Sequence, residues 1–93
     1  MIRSFADRDT ERLWNRDRAR SIDPRIQRAA LRKLRQVGLA VSLRDLWSQL
    51  GNRLEALVGN RAGQHSIRIN DQRRICFTWT DTRPEEVEIV DYH

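Results

Sequence analysis

The chain has 93 residues and carries 18 basic against 13 acidic side chains, a net charge of +5. This length predicts one small domain whose hydrophobic core is adequate but not large. We find no signal peptide, lipidation motif or apolar run long enough to cross a membrane, so we expect a cytoplasmic protein with no membrane partner. One cysteine, Cys76, excludes an internal disulfide and a thiolate zinc cluster.

The positive charge lies outside the C-terminal segment. Residues 81–93 hold five acids and one base, which leaves 17 bases and 8 acids on residues 1–80, a net charge of +9. Such a field favours a polyanionic partner: RNA, DNA or an acidic protein surface. Lys33 is the only lysine. Codon usage can explain the preference for arginine, although arginine also binds phosphate through two parallel hydrogen bonds, which lysine does not.

The first half of the chain has helical spacing. Residues 7–20 are predicted to form a polar helix, capped by Asp7 or Asp9. A second helix is predicted from Asp23-Pro24 to about Val37, with Gly38 as its C-terminal cap. Its apolar residues share one face: Ile26, Ala30, Leu34 and Val37. Four arginines lie roughly opposite and form either a solvated surface or a phosphate contact: Arg25, Arg28, Arg32 and Arg35.

The second half has strand spacing. Residues 42–47 are predicted to add one short helical turn, capped by Ser42. Strands are then predicted over 53–57, 64–70, 73–80 and 85–93, with turns between them. Short turns between successive strands imply antiparallel pairing. The predicted fold class is α+β, with two N-terminal helices packed on one face of a mainly antiparallel four-stranded sheet.

The chain ends in three residues that can each carry or relay a proton: Asp91, Tyr92 and His93. If the last strand stays regular, Asp91 and His93 share one face, where the carboxylate can orient the imidazole, and Tyr92 lies on the other. The alternative is a solvated tail. Cleavage of RNA by its own 2′-hydroxyl needs a base, an acid and cations to hold the phosphorane charge. A metal site is poorly supported, because there are only two histidines and no cluster with ligand spacing.

Three segments together resemble the HigB toxin family of the RelE superfamily, the killer proteins of plasmid-maintenance systems. They are residues 1–5, residues 57–77 and residues 87–93, and the likeness covers essentially the whole chain. The resemblance implies a RelE-like α+β fold and a ribosome-dependent endoribonuclease that cuts translated mRNA without a metal or other cofactor. It also implies a HigA-type helix-turn-helix antitoxin, through which the protein reaches operator DNA.

The resemblance also implies site residues. The family's active-site end falls on Asp91, Tyr92 and His93, and a family arginine falls on Arg74. Some members have a catalytic histidine where this chain has Glu55, so either Glu55 or His93 is the expected base. Phosphate or RNA contacts are expected from a further set: Arg61, Arg68, Arg73, Gln72 and the four arginines of the second helix.

Two alternative functions stay open on the sequence. The protein can act as a non-catalytic binding module, a corepressor that helps a DNA-binding partner hold its operator. It can also bind or cleave free RNA without the ribosome. The same basic surface serves each of these roles.

Overall fold

Helices occupy the first half of the chain and strands the second, as the change in apolar period predicts. The structure is a computed structural model, and it describes residues 1–91. Tyr92 and His93 lie outside the described residues. The helices are α1 (Arg8–Trp14), α2 (Gln27–Leu39) and α3 (Leu43–Trp47), with short 3-10 turns at Pro24–Ile26 and Gly59–Arg61. The strands are β1 (Glu55–Ala56), β2 (Gln64–Arg68), β3 (Arg73–Thr80) and β4 (Arg83–Asp91).

Helix α1 is shorter than the predicted 7–20. Asp7 caps it, because its carboxylate accepts a hydrogen bond from the backbone N–H of Thr10 at 2.6 Å. Asp9 instead accepts from the backbone N–H of Ser21 at 2.8 Å. The helix ends at Trp14, and Arg16 has a φ of +63°. A helix cannot continue through that left-handed backbone, so the predicted extension to residue 20 was wrong.

Helix α2 begins as predicted but ends differently. The Asp23 carboxylate accepts from the backbone N–H of Arg25 at 2.9 Å, and the first turn is 3-10 before the α-helix proper. Gly38 was predicted to cap the C-terminus, yet it lies inside the helix, and Ala40 is the cap. The reason for glycine is the neighbouring ring. A Cβ atom at position 38 would lie 2.6 Å from Cη2 of Trp14.

The sheet has the order β1-β2-β3-β4, and every neighbouring pair is antiparallel. Strand β3 has its predicted limits, whereas β1 and β2 are shorter than predicted and β4 begins two residues earlier than predicted. The turn between β3 and β4 is therefore tighter than expected, with Asp81 at a φ of +55°. The N-terminal segment runs beside β4, where Phe5 pairs in parallel with Val87.

The helices cover one face of the sheet, which confirms the predicted layers. Phe77, Ile67 and Ile75 are fully buried on that face, where they join a core with Leu34 and Ala30 of α2. Burial of these apolar side chains stabilises the fold by roughly 25 cal/mol for each Å² removed from water. Short α3 follows, with Ser42 at its N-cap position but with no side-chain hydrogen bond there. No helix within residues 1–91 is long and apolar enough to span a membrane.

Candidate active site

The face of the sheet away from the helices is polar, and it carries the candidate site. The strand registers place Glu55 opposite Ser66, Ser66 opposite Cys76, and Cys76 opposite Glu88. Directly paired residues point to the same side of a sheet, as do residues two apart on one strand. Arg74 therefore shares this face with Cys76. The sheet thus separates an apolar face that holds the helices from a charged face that they leave uncovered.

Arg74 is the most constrained cation on this face. Its side chain is only 9% exposed. Its Nε donates to Ser66 Oγ at 2.7 Å, and its Nη2 donates to the carbonyl of Arg53 at 2.6 Å and to that of Ser66 at 3.3 Å. Three neutral acceptors therefore fix the plane of the guanidinium. Sequence reasoning singled out Arg74 but not Ser66, whose hydroxyl has no recognisable signal in the sequence.

Glu55 is placed beside Arg74 by strand β1. Its carboxylate lies 3.8 Å from Arg74 Nε, and its side chain is 45% exposed. The sequence named both residues, and the structure brings this acid to the arginine. A hollow of about 280 Å³ opens next to them, lined by residues from β1, the following turn, β3 and the end of β4: Glu55, Ala56, Leu57, Val58, Arg61, Cys76, Val90 and Asp91.

Arg61 reaches the same hollow but is already paired. Its guanidinium donates to Glu88 at 2.7 Å and to Gln64 Oε1 at 3.0 Å. The hydrogen bond with Glu88 raises the pKa of Arg61 above its ordinary value. Any phosphate held by Arg61 must therefore compete with Glu88, a partner that the sequence did not reveal because it is 27 residues away.

The remaining predicted residues are spread over different surfaces. Arg68 pairs with Asp71 in the turn after β2, and Gln72 is exposed in the same turn. Arg73 and Asp91 form an ion pair of 2.7 Å, and their register puts them on the face of the helices. Asp91 thus pairs with Arg73 and, at the end of β4, also borders the hollow beside Glu55. The expected pairing of Asp91 with His93, and the expected role of Tyr92, lie outside the described residues.

The arginines of the second helix stay on the surface. Arg28, Arg32 and Arg35 are exposed along α2, whereas Arg25 folds back on Asp23. The Arg25 side chain lowers the pKa of Asp23 to about 2. The face of α2 that they occupy is opposite its buried side, so this stripe and the hollow beside Glu55 lie on different sides of the molecule.

Two further groups were not predicted from the sequence. Asn52 is fully buried, and its side chain accepts from Lys33 Nζ at 2.5 Å and donates to Gln36 at 2.9 Å and to the carbonyl of Leu46 at 3.0 Å. Lys33 itself is only 7% exposed. Burial is the main cause that lowers the pKa of Lys33.

Two further kinds of reactive group can serve a site of this kind, a cluster of metal ligands and a reactive thiol. Within residues 1–91, no three His, Cys, Asp or Glu side chains are grouped closely enough to bind a metal ion. Cys76 lies in the wall of the hollow but is 2% exposed, and burial raises the pKa of its thiol. A protonated, covered thiol is a poor nucleophile, so Cys76 acts as a packing residue.

Comparison with known proteins identifies the family of the chain. The family model for the RelE-like toxin HigB of type II toxin–antitoxin systems matches residues 3–93. The chain is also 40% identical to Toxin HigB-1 of Vibrio cholerae serotype O1 over 82 residues, which is 87% of this chain and 86% of that protein. The chain belongs to the HigB-like toxin family. It is therefore the toxin of a type II toxin–antitoxin system, with an antitoxin as its partner.

The fold of this HigB-like toxin is shared with a solved toxin–antitoxin complex. The structure matches a chain of the YoeB–YefM complex from Staphylococcus aureus with a TM-score of 0.62. The match covers 100% of this chain and 98% of the other, with 16% sequence identity. At that identity the likeness establishes the fold, and the fold is the RelE-like one that the sequence predicted.

Proposed function

We propose that this HigB-like toxin is an endoribonuclease that cuts translated mRNA on the ribosome by acid–base chemistry. The observation that carries the proposal is the Arg74 guanidinium, fixed by three neutral acceptors beside a carboxylate and an open hollow. Membership of the family supports the activity, because the resemblance implies it.

The geometry suits the charge that develops during cleavage. A base removes the proton of a ribose 2′-hydroxyl, and the oxygen then attacks the adjacent phosphorus. The 5′ oxygen leaves with a proton from an acid, which produces a 2′,3′-cyclic phosphate and a 5′-hydroxyl. Negative charge gathers on the phosphoryl oxygens between these steps, and a preorganised cation stabilises it most where water is excluded. Arg74 fits this role because its position is already set before RNA binds.

Two groups compete for the proton-transfer roles. Glu55 lies at the rim of the hollow, half-exposed and close to Arg74, so it can reach a ribose hydroxyl in the hollow. His93 is the other expected base from the sequence, with Asp91 and Tyr92 beside it in the chain. In this proposal Arg61 adds a second cation once phosphate displaces Glu88, and Arg68, Arg73 and Gln72 contact RNA further from the cut.

The remaining parts of the proposal concern partners. The antitoxin is proposed to be a HigA-type helix-turn-helix protein that carries the toxin to operator DNA. The stripe of Arg25, Arg28, Arg32 and Arg35 is proposed to contact ribosomal RNA. Exposed arginines on one helix face provide the sequence-independent phosphate contacts that such docking needs.

The test is growth arrest and mRNA cleavage after induction of Arg74→Ala. We expect cleavage to fall by at least about 100-fold, since a single charge-stabilising donor commonly contributes that much. Arg44→Ala is the matched control, because it removes an exposed arginine of α3 outside the hollow. Glu55→Gln and His93→Ala, compared in the same assay, identify the base.

Several outcomes would contradict the proposal. Full cleavage by Arg74→Ala, with stability and antitoxin binding unchanged, would remove Arg74 from the site. If Arg74→Ala and wild type both fail to cut mRNA but repress the operator equally with the antitoxin, the protein is a corepressor. Cleavage of naked RNA at the same rate as ribosome-bound mRNA would overturn the requirement for the ribosome.

A further inference from the structure

The edge of the sheet carries an irregularity next to Arg74. Glu55 pairs with Ser66, and the backbone N–H of Leu57 donates to Gln64, in one continuous register. An uninterrupted register would place Arg53 opposite Arg68, but the N–H of Arg68 donates to the carbonyl of Asn52 at 2.6 Å. One extra residue is therefore inserted on the edge segment between Asn52 and Glu55. We call this irregularity the bulge, because an extra residue beside a strand re-aims the neighbouring groups as a β-bulge does.

The bulge directs a backbone carbonyl at Arg74. Arg53 has a φ of +46°, a left-handed conformation that is costly for a residue with a side chain. In that conformation its carbonyl accepts from Arg74 Nη2 at 2.6 Å. A conformation of this kind persists only when the surrounding structure holds it in place.

The residue that holds the bulge is Asn52. Its side chain is bonded to Lys33 and Gln36 of α2 and to the carbonyl of Leu46 in α3, and its own carbonyl is bonded to the N–H of Arg68. Four contacts on three elements thus fix the residue that precedes Arg53. Asn52 thus joins both helices to the edge of the sheet.

The composition of the chain indicates that position 33 requires lysine rather than arginine. All basic residues except Lys33 are arginine. A lysine presents a compact ammonium, whereas arginine presents a broad planar fork. A buried ammonium fits the single acceptor that Asn52 offers, and a guanidinium there would bring further N–H donors into a buried site. Position 33 thus keeps lysine in a chain that otherwise uses arginine.

We propose that Lys33 and Asn52 are positioning residues that set the plane of the Arg74 guanidinium through the bulged carbonyl of Arg53. The inference deepens the proposed function and rests on it, because Arg74 is the charge-stabilising group there. Neither residue touches RNA in this scheme. They act from the helix side of the sheet edge on a group that lies on the opposite face.

The experiment is single-turnover cleavage of mRNA on programmed ribosomes by Asn52→Ala. We expect the rate at saturating ribosome to fall at least tenfold, while the ribosome concentration for half the maximal rate changes less than twofold. Gln27→Ala is the matched control, because Gln27 donates to the carbonyls of Ala19 and Ile22, away from the sheet edge. It should lower stability but leave the saturated rate unchanged.

A double-mutant cycle separates positioning from general damage. In an Arg74→Lys background the guanidinium that Arg53 orients is absent. Asn52→Ala should therefore lower the saturated cleavage rate by less than a further threefold. A tenfold loss from Asn52→Ala in both backgrounds would overturn the proposal, as would an unchanged saturated rate in the wild-type background. If Asn52→Ala fails to fold, Lys33→Met replaces it, with the same expected pattern.

A spectroscopic measurement that does not depend on RNA cleavage distinguishes failure of the proposed function from failure of the positioning role. The Nε–H signal of Arg74 in a ¹H–¹⁵N correlation spectrum should shift and lose exchange protection in Asn52→Ala but not in Gln27→Ala. If wild type cuts no mRNA, the proposed function fails, and this signal still shows whether Asn52 orients Arg74. An unmoved signal in Asn52→Ala would overturn the positioning role by itself.

Discussion

At the scale of single residues, two neighbours on one face of the sheet are held in different ways. Three oxygen acceptors hold the guanidinium of Arg74 in place, whereas burial raises the pKa of the nearby Cys76 thiol. Desolvation disfavours whichever form of a group is charged, unless hydrogen bonds replace the lost water. The same sheet face therefore holds a fixed cation and an inert thiol two residues apart.

The neutral thiol leads to a prediction about reactivity. At pH 8 the folded protein should react with iodoacetamide at least about tenfold more slowly than the denatured chain, because the thiolate is the reactive form and burial raises the pKa of Cys76. The measurement is the rate of mass gain with and without denaturant. Equal rates in the two states would show that Cys76 is accessible and ionised.

At the scale of elements, the packing of α1 on α2 depends on one close approach. The Trp14 ring lies over Gly38, and it also contacts Phe5 with ring centroids 6.2 Å apart. Glycine inside a helix costs about 1 kcal/mol relative to alanine. That cost is offset here because the missing Cβ makes room for an indole that joins the two helices.

A pair of substitutions tests this explanation. Gly38→Ala alone should lower the free energy of unfolding by about 1–2 kcal/mol, because the new methyl overlaps the ring and the packing must shift. In a Trp14→Ala background the same change should instead raise it by up to about 1 kcal/mol, through helix propensity alone. Urea unfolding of the four proteins measures both effects. A stabilising Gly38→Ala in the wild-type background would show that the ring moves without cost.

At the scale of the whole molecule, the N-terminal segment protects an edge of the sheet. The backbone N–H groups of Arg3 and Ala6 donate to the carbonyls of Pro84 and Val87, and Val87 N–H donates to Ser4. These bonds satisfy part of β4, which is otherwise the edge strand on that side. Unpaired edge strands associate readily with other chains.

Removal of the segment should therefore cause association. We expect a protein without residues 1–5 to aggregate at concentrations where the full chain stays monomeric in size-exclusion chromatography. Deletion of Met1 and Ile2 alone is the control, because it keeps the bonds of Arg3, Ser4 and Ala6. Monomeric behaviour of the longer deletion would show that the edge of β4 needs no cover.

The sequence by itself determined the layers, the order of the elements and the family. Apolar spacing identified the buried side of α2 and the limits of β3, because the side chains that face the core recur at a fixed spacing in a helix or a strand. It failed at the end of α1 and at Gly38, where the deciding groups are a left-handed Arg16 and a ring from another helix. Such effects come from tertiary contacts, and local patterns do not record them.

The residues of the candidate site were likewise predicted in part from the sequence and decided in part by the tertiary structure. The sequence named Arg74 and Glu55, because the family resemblance implies site residues at both positions. Only the tertiary structure paired Asp91 with Arg73, paired Arg61 with Glu88, and joined Asn52 to Lys33. These pairings depend on which strands are neighbours and on one inserted residue at the sheet edge. Residue type and spacing determine what a side chain can do, whereas register and packing determine which partner it finds.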